Sequence, residues 1–186
     1  MSGFLGMIIP GGLLQVYGLG VLIIGDSGVG KSESALELIT RGHPFISDDV
    51  TECQIRDGRL VGAAPEVSRN FMEIRGLGII NVREIFGSNA VSSQSEIRLV
   101  IQLHRWEEGM EFDRMGLEFA QDRKILGIAV PQIIIPVAPG RNISTLIEVA
   151  CKVYLLKEQG YQAPQEIVER LDKTLCDQKN KKNKAQ

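Results

Sequence analysis

An α/β domain is predicted by three observations. A short apolar run, Val21-Leu22-Ile23-Ile24, leads straight into the glycine-rich stretch "GDSGVGKS" at residues 25–32. From Lys31 a helical pattern follows, with Ala35, Leu36, Leu38 and Ile39 on one face. Beyond it, β-rich runs give way to two helical patterns near the end of the chain. Strand, tight loop and helix in immediate succession form a phosphate-cradling unit. The other runs supply a mixed sheet with flanking helices.

The 186 residues fit one domain, placed at 1–176. At 44% hydrophobic and 24% charged, the chain can bury a core and stay in solution. A net charge of -2 argues against a general nucleic-acid or anionic-membrane binder. Cys53, Cys151 and Cys176 form no CxxC pair, so reduced thiols in a cytoplasmic protein are expected rather than zinc or a disulfide framework. No charge precedes Asp26, yet a membrane span or signal peptide fits poorly. The basic leader is missing, and Pro10-Gly11-Gly12 and Gly18 break the run into two buried strands at 13–17 and 21–24.

The remaining elements follow in order. The first helix runs over 31–41 and stops at Gly42. Phe45-Ile46 is a strand tip ending at Ser47-Asp48-Asp49. Runs 51–55 and 59–63 flank Asp57-Gly58, a hairpin turn signal. Residues 65–78 read as an ordered loop before a strand at 79–82. Residues 97–103 are a buried strand, 107–123 are charged and irregular, and 130–137 form an extended strand restricted by Pro131 and Pro136. Asn142 or Ser144 caps a helix running to about Gln159, and Pro164 opens another to about Leu175. Residues 177–186, with four lysines and no apolar pattern, read as a disordered basic tail.

The chemistry of the loop follows from its backbone. Its glycines let several N–H groups point at one phosphate, and the helix beginning there aims its positive end at the same anion. Gly25, Asp26, Ser27, Gly28, Val29, Gly30, Lys31 and Ser32 therefore form the nucleotide site. Lys31 reaches the β- and γ-phosphates, and the Ser32 hydroxyl suits Mg²⁺. A dinucleotide site is excluded, since the G-x-G-x-x-G start is missing. Transfer also needs a group to orient the nucleophile and cations for developing charge. Asp48 and Asp49 are candidates for the first role, with only one of the pair facing the phosphate in an extended chain. Glu73 is a candidate Mg²⁺ ligand beside Arg75, and Arg114 a candidate for the transferring oxygens. His43 and His104 read as satisfied histidines at the surface or at strand ends.

Four stretches, "GVLIIGDSGVGKSESALELITRGHPFISDDV", "MEIRGLGIINV", "FDRMGLE" and "PVAPGRN", occur in that order. Together they resemble the catalytic domain of the HPr kinase/phosphorylase family over about residues 12–158, "MEIRGLGIIN" being the specific part. The resemblance implies a P-loop kinase domain related to phosphoenolpyruvate carboxykinase. It implies transfer of phosphate from ATP or pyrophosphate, with Mg²⁺, to a serine of the phosphocarrier HPr, and reverse phosphorolysis by inorganic phosphate. Carried over, Lys31 is the phosphate lysine, Ser32 and Glu73 are Mg²⁺ ligands, and Arg114 is a catalytic arginine. Asp49 is the proton acceptor for phosphorylation and donor for the reverse step, with Asp48 in reserve. Met72-Glu73-Ile74-Arg75-Gly76-Leu77-Gly78-Ile79-Ile80-Asn81 is the signature loop. Ile135-Pro136-Val137-Ala138-Pro139-Gly140-Arg141 matches a segment tied to dephosphorylation. The resemblance also implies a hexameric homo-oligomer whose C-terminal helices help to hold HPr.

The chain departs from the family's pattern at three positions. Pro10 stands where a histidine is usual, Gln15 where an aspartate is, and Ala138 where a basic residue is common. Losing the histidine removes a partner that could tune the aspartate or bind phosphate. Nucleotide binding is expected to survive, and the departure bears most on phosphorolysis. Residues 1–9 leave no room for the family's usual N-terminal domain, so the chain reads as a naturally short or truncated form. Two other functions fit the loop: a catalytically impaired nucleotide-binding regulator of this fold, and an unrelated P-loop small-molecule kinase or ATPase.

Overall fold

A computed structural model describes residues 6–107 and 120–183. The apolar start of the chain becomes three strands, β1 (Met7–Pro10), β2 (Gly12–Val16) and β3 (Leu19–Gly25). Helix α1 (Lys31–Thr40) follows, then β4 (Phe45–Ser47), β5 (Val50–Arg56) and β6 (Arg59–Ala63). The predicted Asp57-Gly58 turn joins β5 to β6, both residues having positive φ, 51° and 74°. Next come β7 (Phe71–Ile74), β8 (Gly78–Asn81) and α2 (Val82–Phe86). The long β9 (Gln94–Arg105), β10 (Ala120–Ile125), β11 (Ile128–Val137), α3 (Ile143–Glu158) and α4 (Ala163–Asn183) complete the order.

Nine strands share one mixed sheet, running β1-β5-β6-β9-β3-β2-β4, with β10 and β11 joined to it through β9. Twelve residues make β9 long enough to serve several neighbours. Its first residues pair with β6 antiparallel, and its later ones lie parallel to β3 on one side and to β11 on the other. The fold class is therefore the predicted one. Two apolar clusters cover the sheet. One joins Leu14, Val21, Ile23, Leu99 and Ile101 to Leu38 of α1 and Ile147 and Cys151 of α3. The other holds Ile9, Leu13, Leu22, Leu60 and Val100. Burial pushes the thiols of Cys53 and Cys151 up to about 11 and about 12, so both act as small apolar side chains.

Glycine is required where strands crowd together. A Cβ on Gly20 would lie 1.9 Å from the Glu96 carbonyl oxygen, so β3 meets β9 there only without a side chain.

Three strands stand at the apolar start where two were expected, because Met7–Pro10 pairs with β5, and four further local differences have physical causes. Residues 71–81 form the β7–β8 hairpin rather than a loop and one strand: Met72 and Ile74 are buried while Phe71 and Glu73 face out. Val82 opens α2 instead of ending a strand, because the Asn81 side chain accepts from the N–H groups of Arg83 and Glu84. Within the irregular stretch, 120–125 is a strand paired with β11. Helix α4 continues to Asn183, past Leu175 and into the segment read as a disordered tail. After Pro164 in its first turn no glycine or proline interrupts it, and its Lys and Gln are good helix formers. Of the two candidate caps, Asn142 and not Ser144 caps α3, accepting from the Thr145 N–H at 2.7 Å.

His43, 7% exposed, belongs to a clasp at the far end of α1. Its Nε2 lies 2.9 Å from Glu148 Oε1 on α3. The Arg41 guanidinium pairs with the other carboxylate oxygen, and the Tyr17 hydroxyl donates to Oε1 at 3.2 Å. Burial alone would raise the Glu148 carboxyl, but the hydrogen bonds from His43 and Arg41 outweigh it and hold it below its usual value.

Candidate active site

The loop at 25–32 leaves β3 and enters α1, and its shape depends on residues without side chains. Gly25, Gly28 and Gly30 take φ of 150°, 75° and 100°. Val29 is buried beneath the loop, its N–H donating to the Asp26 carbonyl at 3.2 Å. The Lys31 ammonium reaches back to the Gly25 and Asp26 carbonyls at 2.9 and 3.1 Å. It thus spans the loop it is expected to serve. A cleft of about 150 Å³ opens beside it and gathers Lys31, Ser32, Asp49, Glu73 and Arg75. These residues come from three separate stretches of chain.

Asp48 and Asp49 follow β4, which is hydrogen-bonded to β2. The Gly11 N–H donates to the Asp49 carbonyl at 2.8 Å, so the strand end carrying Pro10 touches the aspartate pair through the backbone. The two residues form the bend between β4 and β5 rather than an extended chain, and their side chains still separate. Asp49 is exposed and lines the cleft. Asp48 is partly buried and accepts from the Glu73 N–H at 3.1 Å. Burial pushes the Asp48 carboxyl up to about 6, and the Asp49 charge adds to the rise. The Glu73 N–H, the Ser32 hydroxyl and the Lys31 ammonium pull the other way without cancelling it.

That shift has a sign in stability. Folded Asp48 holds its proton more tightly than the unfolded chain, whose value is near 3.8. Stability is therefore lost as pH rises from about 4 to about 6, and the deficit is complete above that range. Asp48→Asn keeps the acceptor for the Glu73 N–H and removes the charge. Its thermal midpoint without ligand is expected to exceed the wild type's at pH 7.5 by an amount worth about 1–2 kcal/mol, discounted for partial exposure. The gap should close below pH 4. Equal midpoints across the range would show that Asp48 is not held out of water.

The donor set suits magnesium. The Ser32 hydroxyl and the Glu73 carboxylate are hard oxygen ligands facing one cleft. Among the described residues no cluster of three or more His, Cys, Asp or Glu side chains forms a closed metal cage. A cation held by one or two side chains plus substrate phosphates is the arrangement Mg²⁺ favours.

Arg114 falls outside the described residues. Segment 135–141 is one strand further from the loop, since β9 stands between β11 and β3. There Arg141 donates to the Pro136 carbonyl at 2.9 Å. Gln15, a departure from the family's pattern, bonds Ser95 at 3.3 Å and faces Gly20 in the neighbouring strand, five positions before the loop begins. One residue that the sequence reading missed borders the loop. Arg105, the last residue of β9, donates from Nη2 to the Gly28 carbonyl at 3.3 Å. Its signal was its place at the carboxyl end of a strand, where α/β sheets bind ligands.

Comparison with known proteins gives the family. A family model described as the HPr serine kinase C-terminal domain matches residues 6–171. An HPr kinase/phosphorylase from Bacillus licheniformis is 50% identical over 164 residues, covering 88% of this chain and 53% of that protein. One from Caldicellulosiruptor bescii is 48% identical over 166 residues, covering 89% and 53%. The chain thus spans about half the length of the curated relatives it matches. Among solved structures, the Hpr(Ser) kinase/phosphatase from Coxiella burnetii superposes with a TM-score of 0.77 at 38% identity, covering 83% of this chain and 94% of that one. With the loop, the aspartate pair and the signature hairpin all inside the matched region, the chain belongs to the HPr serine kinase C-terminal domain family.

Proposed function

We propose that the chain carries the phosphoryl-transfer site of an HPr kinase/phosphorylase. ATP or pyrophosphate donates, a serine of HPr accepts, and inorganic phosphate drives the reverse reaction. The observation that carries this reading is the meeting of Lys31, Ser32, Asp49 and Glu73 in one cleft beside a phosphate loop.

The loop amides and Lys31 bind the polyphosphate and hold its charge in place. Ser32 and Glu73 would hold Mg²⁺, which when bound neutralises charge on the phosphoryl group being moved. Asp49 takes the proton from the seryl hydroxyl onto its carboxylate and returns it in the reverse direction. Asp48, bonded to the Glu73 N–H, fixes the hairpin bearing that ligand against the end of β4. Arg114 is assigned the developing charge on the transferred oxygens, and segment 135–141 a part in the reverse step. Both assignments rest on the family's motifs.

A protein acceptor also fits the C-terminal helix. Ile167, Val168, Leu171 and Leu175 of α4 are all more than 40% exposed and recur at helical spacing. We extend the reading to a cytoplasmic homo-oligomer, hexameric by family resemblance, that binds neither nucleic acid nor membrane. Among the described residues no helix is long and apolar enough to cross a bilayer.

The test is label transfer in both directions with purified HPr, Mg²⁺, and ATP or pyrophosphate. Seryl-phosphorylated HPr that forms, and is cleared by orthophosphate, supports the assignment. Nucleotide binding without transfer would instead make the chain a regulator of the same fold. Transfer to a small molecule but not to HPr would make it another kind of kinase.

A further inference from the structure

We propose that Arg105, at the rim of this cleft, binds the polyphosphate from the β9 side of the loop. The proposal rests on the reading of the loop as a polyphosphate site, and adds to it a residue outside the loop, the aspartate pair and the signature hairpin.

Placement comes first. In the parallel β3–β9 pair, Gly25, where the loop begins, stands opposite Leu103. Arg105 is two residues further along β9, past the carboxyl end of the parallel strand β3 and at the carboxyl end of its own, where α/β sheets bind ligands. On its other side Arg105 pairs with Val137 of β11, whose next residue, Ala138, is uncharged. At this margin of the loop the positive charge comes from β9, not from β11.

The guanidinium's surroundings come second. Its bond to the Gly28 carbonyl, at 3.3 Å, is long for a charged donor, so little is lost when a phosphate oxygen replaces it. Arg75 approaches the same residue from the hairpin. A Cβ on Gly28 would lie 3.5 Å from Arg105 Nη2, and 3.6 and 3.7 Å from Arg75 Nη2 and Nη1. Two guanidiniums thus close around one loop residue that has no side chain.

Charge balance comes third. Arg41, Arg59, Arg98 and Arg170 each pair with a carboxylate. Among the described residues neither Arg75, which lines the cleft with Asp49 and Glu73, nor Arg105, which reaches the cleft residue Gly28, does. Like charges brought together without a counter-ion repel, and an anion placed between them relieves that repulsion. The planar guanidinium fork matches the oxygens of phosphate.

The experiment titrates pyrophosphate with Mg²⁺ into the whole chain by calorimetry, comparing wild type, Arg105→Gln, Arg105→Lys and Arg59→Gln. Glutamine keeps an N–H donor for the Gly28 carbonyl but loses the charge. Lysine keeps the charge but loses the fork. Arg59→Gln removes one charge from the β5–β6 turn and controls for net charge. Loss of a charged hydrogen bond predicts affinity about tenfold weaker or more for Arg105→Gln. Arg105→Lys is expected to lie between that and wild type, with Arg59→Gln at wild-type affinity. The thermal midpoint of ligand-free Arg105→Gln should match wild type. Arg105→Gln within twofold of wild type overturns the proposal, and so does a loss of affinity matched by a fall in the ligand-free midpoint. If the wild type itself binds no pyrophosphate, the polyphosphate reading fails along with it. If the wild type binds and Arg105→Gln binds equally well, only the assignment of Arg105 fails.

Discussion

Lys31→Ala is expected to remove polyphosphate affinity and phosphoryl transfer together. The ammonium spans the loop, donating to the carbonyls of Gly25 and Asp26. A bound phosphate chain would draw it onto its own oxygens, where charge increases as the group leaves. Because it acts both on binding and on the reacting state, its loss should weaken pyrophosphate or ATP binding at least about tenfold. Transfer to HPr should fall on the order of a thousandfold or more. Calorimetry and label transfer on the same preparation read the two effects. Turnover within tenfold of wild type would mean that Lys31 braces the loop and takes no part in the chemistry.

Asp49→Asn should separate those two effects. Asp49 lines the cleft but sits beyond the loop, so the asparagine variant should bind nucleotide within about twofold of wild type. A positioned general base contributes about 10²–10⁴ in rate, and that is the expected loss in both directions of transfer. Should the variant turn over normally, the proton goes to Asp48 instead. Burial still holds its carboxyl above the usual carboxylate value once the Asp49 charge is gone, and the acid limb of the rate profile would shift upward with it.

The phosphate loop was legible in the sequence because strand, loop and helix are contiguous and each glycine has a local task. The Asp57-Gly58 hairpin and the Asn142 cap were legible for the same reason: the deciding contacts lie within a few residues. The β7 strand was not, although Met72 and Ile74 alternate with Phe71 and Glu73 as a strand should. Four residues beside two closely spaced glycines, Gly76 and Gly78, carry too short a period to tell from a loop. Asp48 and Arg105 depend on distance in the chain. The bond that seats Asp48 comes from the Glu73 N–H, 25 residues on, and Arg105 reaches Gly28 across 77. His43 read as an isolated histidine because its partner, Glu148, is 105 residues away on another helix.

The Glu148 clasp bears on how fast the cleft can fill. Helix α1 starts at the phosphate loop and is followed at its far end by Arg41, where α3 grips it through one carboxylate shared by Arg41, His43 and Tyr17. A strut pinned at its distal end cannot swing or slide to meet an incoming anion. Its amino terminus is already aimed before anything arrives, so capture demands little rearrangement of the scaffold. The speed of association is then governed by diffusion and by the cations at the rim, not by the tempo of a moving helix.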